Sequence, residues 1–334
     1  MSLLNPDWVF IPHDTLILFD EMQECPDCTT SLKFFKLDGR YDVICSGSLL
    51  GVHYKKISSV SVGYKEDVEM HSLDFEEFLW AKGYRQEQIN SIFEHMKNGE
   101  PFSTTEYNVW LDNFREYMVV GGMPAIVDKF ISQNNYSGVL NAQKKILQDY
   151  EDDITKYAEG LDKGKIDWLN DAGIINQCFC LNQPELPLKG NYKPNDYKIY
   201  FRDTGLLIAS LDDEAQQDLR ANKNFNTYKG AVYENIIADI LVKEGYNLYY
   251  YKSDKPSLEM DFFVRTVDSL VPVEIKATDN ATISLNNLIK KDTYADVKFG
   301  IKLANKNIGF NGVFYTFPYF CAFMLKRWLA DVNM

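Results

Sequence analysis

The sequence predicts an α/β protein in several parts: a parallel sheet with helices at the N-terminus, a helical middle, a helix-plus-hairpin module and a second α/β domain at the C-terminus. Short apolar strands alternate with helix signals at both ends of the chain, and the central third carries helical periodicity. At 334 residues the chain is long enough for about two or three domains. Hydrophobic residues make up 46% and charged residues 25%, which suits a protein with real cores. No apolar run approaches the ~18 residues of a membrane span, and no signal-peptide pattern opens the chain. A cytoplasmic location with no membrane partner is expected. The formal charge of −13 argues against a broad basic surface and leaves only local patches for nucleic acid. Of the six cysteines, Cys25 and Cys28 form a C-x-x-C. No second pair completes a zinc site, so these two are read as residues of an ordinary loop.

In chain order, "LILF" is a fully apolar strand, "SLKFFKLDG" a short helix ending near Gly39, and "YDVICSGS" a second buried strand. Strand, helix, strand with short connections is the βαβ pattern of a parallel sheet. "SLDFEEFLWAKG" opens a helix with Ser72 or Asp74 as cap. The next helix, "QEQINSIFEHMKNG", stacks Ile89, Ile92, Phe93 and Met96 on one stripe, and another from Tyr107 to Val120 does the same with aromatic residues. These stripes are read as helix packing. "VGGMPAIV" breaks the pattern, and residues 137 to 158 form one more helix. "DWLNDAGIINQCFCL" is a helix and a strand, and "YKIYF" a second strand after a proline-rich tip. A helix followed by such a two-stranded wing suggests a winged-helix-like module, although the wing carries only Lys189 and Lys193 as basic residues at its tip. "FRDTGLLIASL" continues as a helix, and "EAQQDLRANKNFN" is a polar linker. The resulting division is 1–72, 73–135, 136–220 and 221–334.

The first strand stops on two adjacent carboxylates, Asp20 and Glu21. A P-loop ATPase uses such an acid pair, its Walker B element, to hold magnesium and orient the attacking water. The following strand of such an enzyme presents a small polar side chain toward the γ-phosphate, and Ser46 or Ser48 fits that place. The glycine-rich phosphate loop of the form G-x-x-x-x-G-K-[ST] is not found upstream, where "MSLLNPDWVFIPHD" holds neither glycine nor lysine.

The last domain carries a second constellation. In "YKGAVYENIIADILVKEGY", Val232, Ile236, Ile240 and Tyr233, Ile237, Leu241 are the apolar ridges of a helix, and Glu234 falls on a small, apolar face. "LEMDFFV" and "LVPVEIKA" follow as strands. Alternation puts Glu259 with Asp261 and Glu274 with Lys276. Helix Glu, strand Asp, then E-x-K is the arrangement of the PD-(D/E)XK nuclease superfamily. Asp261 and Glu274 suit Mg²⁺ or Mn²⁺ as hard oxygen ligands, and Lys276 suits orientation of the nucleophile. A structural alternative pairs Glu274 with Lys276 as a simple ion pair. The four histidines show neither metal nor triad spacing.

From "LILFDEMQECP" through "SLDFEEFLWAKG", and again in "REYMVVGGMPAIV", "DITKYAE", "NQPELPLKGNY" and "FRDTGLL", the chain resembles a bacterial and archaeal AAA-like P-loop ATPase family whose C-terminal half is a domain of unknown function with a nuclease-like end. The resemblance implies ATP and Mg²⁺ as cofactors of the full-length protein, with Asp20 at the metal and Ser46 or Ser48 near the nucleotide. It also implies Mg²⁺ or Mn²⁺ at the nuclease-like site. Expected partners are DNA, protein partners or further copies of the chain. Two departures stand out. Members begin with a phosphate loop, so one is expected upstream of residue 3 in the natural protein, and "MSL" looks like an expression leader. A shortened stretch at "AEGLDKGKIDWLNDAG" weakens the winged-helix reading. The expected function is an AAA-like ATPase fused to a nuclease-like domain, inactive as an ATPase in this form. The alternative is a regulatory ATPase whose nuclease-like domain is a non-catalytic binding or assembly module.

Overall fold

The computed structural model describes residues 5–22, 25–47, 63–133, 135–157, 165–211, 214, 216–217, 226–253, 258–276, 282–290 and 293–332. The chain divides into two compact units, Met1–Met70 with Gly164–Gly173, and His71–Lys163 with Ile174–Met334.

In the first unit, β1 (Leu16–Phe19) and β2 (Asp42–Cys45) pair in parallel, Leu16 opposite Asp42 and Phe19 opposite Cys45. The helix Pro26–Asp38 is the crossover between them. It starts on a proline, whose missing N–H costs nothing in the first turn. It ends where the N–H of Gly39, in the left-handed conformation, reaches back to the Phe35 carbonyl. Ile17 is buried on one face of β1, whereas Leu18 and Ile44, adjacent in the register, are 66% and 55% exposed on the other. Parallel sheets are ordinarily covered on both faces.

The second unit begins with helices. Phe75–Ala81 opens on a capping box: the Asp74 carboxylate accepts from the Glu77 N–H at 2.8 Å, and Glu77 accepts from the Asp74 N–H at 2.9 Å. Gln86–Asn98 buries Ile89, Ile92, Phe93 and Met96, the stripe its periodicity marks. Thr104–Val120, Pro124–Gln133 and Tyr136–Tyr157 follow. The "VGGMP" and "FRDTGLL" blocks meet in the interior. Asp203 caps the helix Thr204–Ala209, and its other oxygen takes the Gly122 N–H at 2.7 Å. Gly121 has a φ of +74°, and a Cβ there would lie 2.0 Å from Asp203 Oδ1. A Cβ on Gly205 would lie 2.6 Å from the Val120 carbonyl. Glycine is required by close approach, so these blocks are packing solutions.

Beneath them the only route for a buried charge is pairing. Lys243 Nζ donates to Asp239 Oδ2 at 2.8 Å, to the Tyr117 hydroxyl at 3.0 Å and to the Leu73 carbonyl at 3.1 Å. The Lys243 and Asp239 side chains are 4% and 2% exposed. Burial pushes Asp239 up, and the adjacent ammonium pulls it back. With the two groups in direct contact, each favours the charged form of the other against the pull of burial.

Two sheets complete this unit. β3 (Ile175–Leu181) and β4 (Tyr192–Phe201) form an antiparallel hairpin with a bulge at Phe179/Cys180. The hairpin does not stand alone as a wing: β3 also pairs in parallel with β5 (Tyr249–Lys252), and β5 pairs with β6 (Glu259–Met260), giving the order β4-β3-β5-β6. The other sheet has the order β10-β11-β9-β8-β7, with β7 (Phe262–Arg265), β8 (Leu270–Lys276), β9 (Gly300–Ala304), β10 (Gly309–Phe310) and β11 (Phe314–Pro318). β8, β9 and β11 run parallel. "LEMDFFV" is therefore not one strand. Its first half pairs with β5, its second with β8, and Asp261 sits at the change of partner. The helix Asn226–Lys243 buries Val232, Tyr233, Ile236, Ile237, Ile240 and Leu241, both ridges its sequence marks. Each such side chain contributes about 1.5–3 kcal/mol. Most of the polar stretch 214–226 and residues 158–164 lie outside the described residues. The mixed α/β architecture agrees with the fold class read from the sequence.

Candidate functional site

The first unit brings Asp20, Glu21 and Ser46 together. Parallel register sets the end of β1 beside the end of β2, and the Ser46 N–H donates to the Phe19 carbonyl at 2.8 Å. The Ser46 hydroxyl donates to Asp20 Oδ1 and accepts the Glu21 N–H at 3.3 Å. The Met22 N–H returns to the Ser46 carbonyl at 2.9 Å. Glu21 is held at a φ of +50°, a conformation uncommon outside glycine and a mark of sites where geometry is imposed. All three side chains are exposed. Ser48, the other candidate, lies outside the described residues. An exposed carboxylate with a serine hydroxyl beside it suits a water-rich Mg²⁺, which is commonly held through one or two carboxylates.

The second unit brings its own group together on its sheets. Antiparallel register sets Phe262 opposite Val273, so Asp261 comes next to the β8 positions around Glu274. Its Oδ2 accepts the Ile275 N–H at 2.7 Å. Burial, and then the nearby Glu234 charge, push the Asp261 carboxyl up to about 7, with Ile275 N–H and Lys198 pulling it back. Glu274 is 2% exposed, and burial raises its carboxyl against the opposing pull of Lys276. Lys276 Nζ bonds Glu274 Oε1 at 2.7 Å. Glu274 Oε2 has no hydrogen-bond partner among the described residues, a costly state for a buried carboxylate oxygen. The Tyr319 hydroxyl donates to the Lys276 carbonyl and fixes the end of β8.

Glu234 is not the unpaired carboxylate that its apolar helix face suggests. The Tyr200 hydroxyl donates to its Oε2 at 3.1 Å, and Lys198 Nζ lies 3.7 Å from the same atom. Sequence reasoning missed Lys198, Tyr200 and also Lys302, a buried lysine that β9 sets beside Glu274. Lys302 depends on a strand pairing, and Lys198 and Tyr200 on a strand packed against a helix, each between segments far apart in sequence. A buried lysine in the apolar strand "GIKLA" was the one local signal.

Among the described residues no group of three or more His, Cys, Asp or Glu side chains is arranged to hold a metal ion. The Asp261 and Glu274 carboxylates lie close enough for their charges to interact, and the unpartnered Glu274 Oε2 is the atom a divalent cation could meet there. Such a cation would keep several waters. No helix among the described residues is long and apolar enough to cross a membrane.

Three segments match family models. Residues 3–79 match an AAA domain, residues 111–166 a domain of unknown function (DUF8612) and residues 229–321 a domain of unknown function (DUF4143). No curated protein matches the chain. The first match spans Asp20, Glu21 and Ser46. The last spans Glu234, Asp261, Glu274 and Lys276 but not Lys198 or Tyr200. The N-terminal segment is thus similar to an AAA domain, which suggests ATPase-like activity with a nucleotide and Mg²⁺.

Proposed function

We propose that the chain joins the acid-pair half of an AAA-like ATPase to a metal-dependent, nuclease-like module that acts on DNA. The observation that carries the nuclease half is the half-buried Asp261 beside the buried Glu274, with Lys276 bonded to Glu274 at 2.7 Å. Asp261 and Glu274 would hold Mg²⁺ or Mn²⁺, which when bound supplies charge neutralisation at a phosphate and lowers the pKa of a water. Lys276 orients the carboxylate it bonds and brings a positive charge to the place where negative charge develops. In the nucleotide half, Asp20 would hold Mg²⁺ with Ser46, and Glu21 would polarise the attacking water. A phosphate loop must join these residues before turnover.

A second reading keeps the C-terminal module as a non-catalytic binding or assembly part. The direct Lys276 to Glu274 contact favours it, because it commits one of the few donor oxygens.

Incubation of the chain with DNA and Mn²⁺, beside a Lys276→Ala control, separates the two. Cleavage lost in the variant supports the first reading, and no cleavage under any metal by the natural full-length protein supports the second. The chain should show no ATP turnover and, by calorimetry, no tight Mg²⁺-dependent ATP binding. Clear turnover by pure protein sinks the nucleotide half of the proposal.

A further inference from the structure

Strand β4 packs along the helix that carries Glu234, and the two are clamped next to that residue. The Phe201 N–H donates to Asn235 Oδ1 at 2.7 Å, and Asn235 Nδ2 donates to the Phe201 carbonyl at 3.1 Å. Two-residue alternation then sends Lys198 and Tyr200 to one face of β4. There the Tyr200 hydroxyl is 3.1 Å and Lys198 Nζ 3.7 Å from Glu234 Oε2. Lys198 Nζ is also 3.3 Å from Glu259 Oε1 and lies over the Tyr250 ring, 5.0 Å from its centre. Both contacts to Glu234 fall on one oxygen. Tyr200 is 6% exposed, so its hydroxyl has been taken out of water to make this bond.

We propose that Lys198 and Tyr200 of the β3–β4 hairpin are positioning residues of the C-terminal site, holding Glu234 toward a phosphodiester substrate bound through a divalent cation at Asp261 and Glu274. The inference rests on the nuclease-like reading and extends the site beyond residues 229–321 into the preceding hairpin. Glu234 needs two fixed points to keep one geometry, and the helix supplies only its backbone. β4 supplies the other. With Oε2 anchored by a neutral hydroxyl and an ammonium, Oε1 is left to accept a hydrogen bond from a water or a substrate group. Lys198 has a second effect, because its positive charge opposes a cation arriving at the same carboxylates.

That opposition gives a signature that a merely structural role lacks. Lys198→Met removes a charge that repels the metal, so Mn²⁺ binding should tighten, on the order of threefold for unit charges several ångströms apart in a partly screened site, while DNA cleavage at saturating Mn²⁺ falls. Lys198→Arg restores the charge and should return Mn²⁺ affinity to the wild-type value. Tyr200→Phe keeps every charge, so it should leave Mn²⁺ affinity within about twofold and lower cleavage about tenfold, the loss of one well-placed hydrogen bond.

The experiment titrates the whole chain with Mn²⁺ alone, followed by the paramagnetic resonance of free Mn²⁺. Cleavage of single- and double-stranded DNA and thermal melting are measured on the same samples. If the wild type binds no Mn²⁺, or Asp261→Asn binds it equally well, the nuclease-like reading falls and this inference with it. If the wild type binds Mn²⁺ and cleaves, but both β4 variants cleave at the wild-type rate, the inference alone is overturned. Weakened Mn²⁺ binding in Lys198→Met, in step with a lowered melting temperature, also overturns it by marking a structural role. Where the wild type binds Mn²⁺ without cleaving, tightening in Lys198→Met supports the inference and unchanged affinity overturns it.

Discussion

The two units treat carboxylates in opposite ways. Asp20 and Glu21 stand in water at the end of a two-stranded sheet, with Ser46 and backbone groups around them. Glu274 is buried in a sheet with Asp261 half-buried beside it; burial raises both carboxyls, the Glu234 charge adds to the rise at Asp261, and Glu274 Oε2 is without a partner among the described residues. A solvated acid pair is cheap to keep. A buried pair is held at a cost in stability, which a bound cation or a proton relieves. That difference between a solvated acid pair and one held against burial can be tested by stability alone.

The largest effect is expected where burial is deepest. Lys243→Met should destabilise the second unit by about 3–5 kcal/mol in urea denaturation, because it strands Asp239 without its cation. Changing Asp239→Leu as well should recover most of the loss, since a buried ion pair replaced by apolar groups is often neutral. If Lys243→Met costs no more than a surface change, the contrast between buried and exposed carboxylates collapses.

Next is pH. The Asp261 carboxyl lies at about 7 in the folded chain against an ordinary value of 3.8. A carboxyl raised on folding binds its proton more tightly in the native state, so stability is highest on the acid side of this window and falls as pH rises from about 4 to 7. The fall attributable to this group is about 2–4 kcal/mol, its partial exposure trimming the upper figure. Melting temperatures of Asp261→Asn should lose that part of the slope. An unchanged slope in the variant would place the stress elsewhere.

Mn²⁺ should then act as the alternative relief. At pH 8, with metal at 100 times its dissociation constant, stability should rise by about 2.7 kcal/mol. At pH 5, where Asp261 is protonated, the gain should shrink. A gain equal at both pH values would mean that the metal sits on other ligands. The smallest effect belongs to the first unit: Asp20→Asn and Ser46→Ala should each shift stability by less than about 0.5 kcal/mol, measured in the same denaturation series.

Local pattern made much of this visible in the sequence. The parallel pair of "LILF" and "YDVICSGS", the Asp74 cap and the Ile89 to Met96 stripe follow from short-range rules, as does the Asp20 to Ser46 contact at the ends of neighbouring strands. Alternation along β8 likewise puts Glu274 and Lys276 on one side, where they bond. The rest depended on which strands meet. Nothing near Asp261 announces that the chain changes sheets there, because no glycine or proline breaks "LEMDFFV". Lys302 beside Glu274 is a product of register between distant strands, and Tyr200 beside Glu234 of a strand packing on a distant helix. The Gly-Gly of "VGGMP" reads as a break between helices and the glycine of "FRDTGLL" as part of a helix, and only the close approach of Asp203 and Val120 gives them their reason.

The parallel pairing of β3 with β5 has a consequence for synthesis. A ribosome releases the β3–β4 hairpin well before Tyr249–Lys252 exists to cover the open side of β3. During that interval the nascent chain presents an unpaired strand carrying Cys178, Phe179 and Cys180, the kind of template on which chains stick to one another. Holding the hairpin apart until its late partner emerges is work for a chaperone or for slow translation, and a chain truncated before Tyr249 should be the form that precipitates.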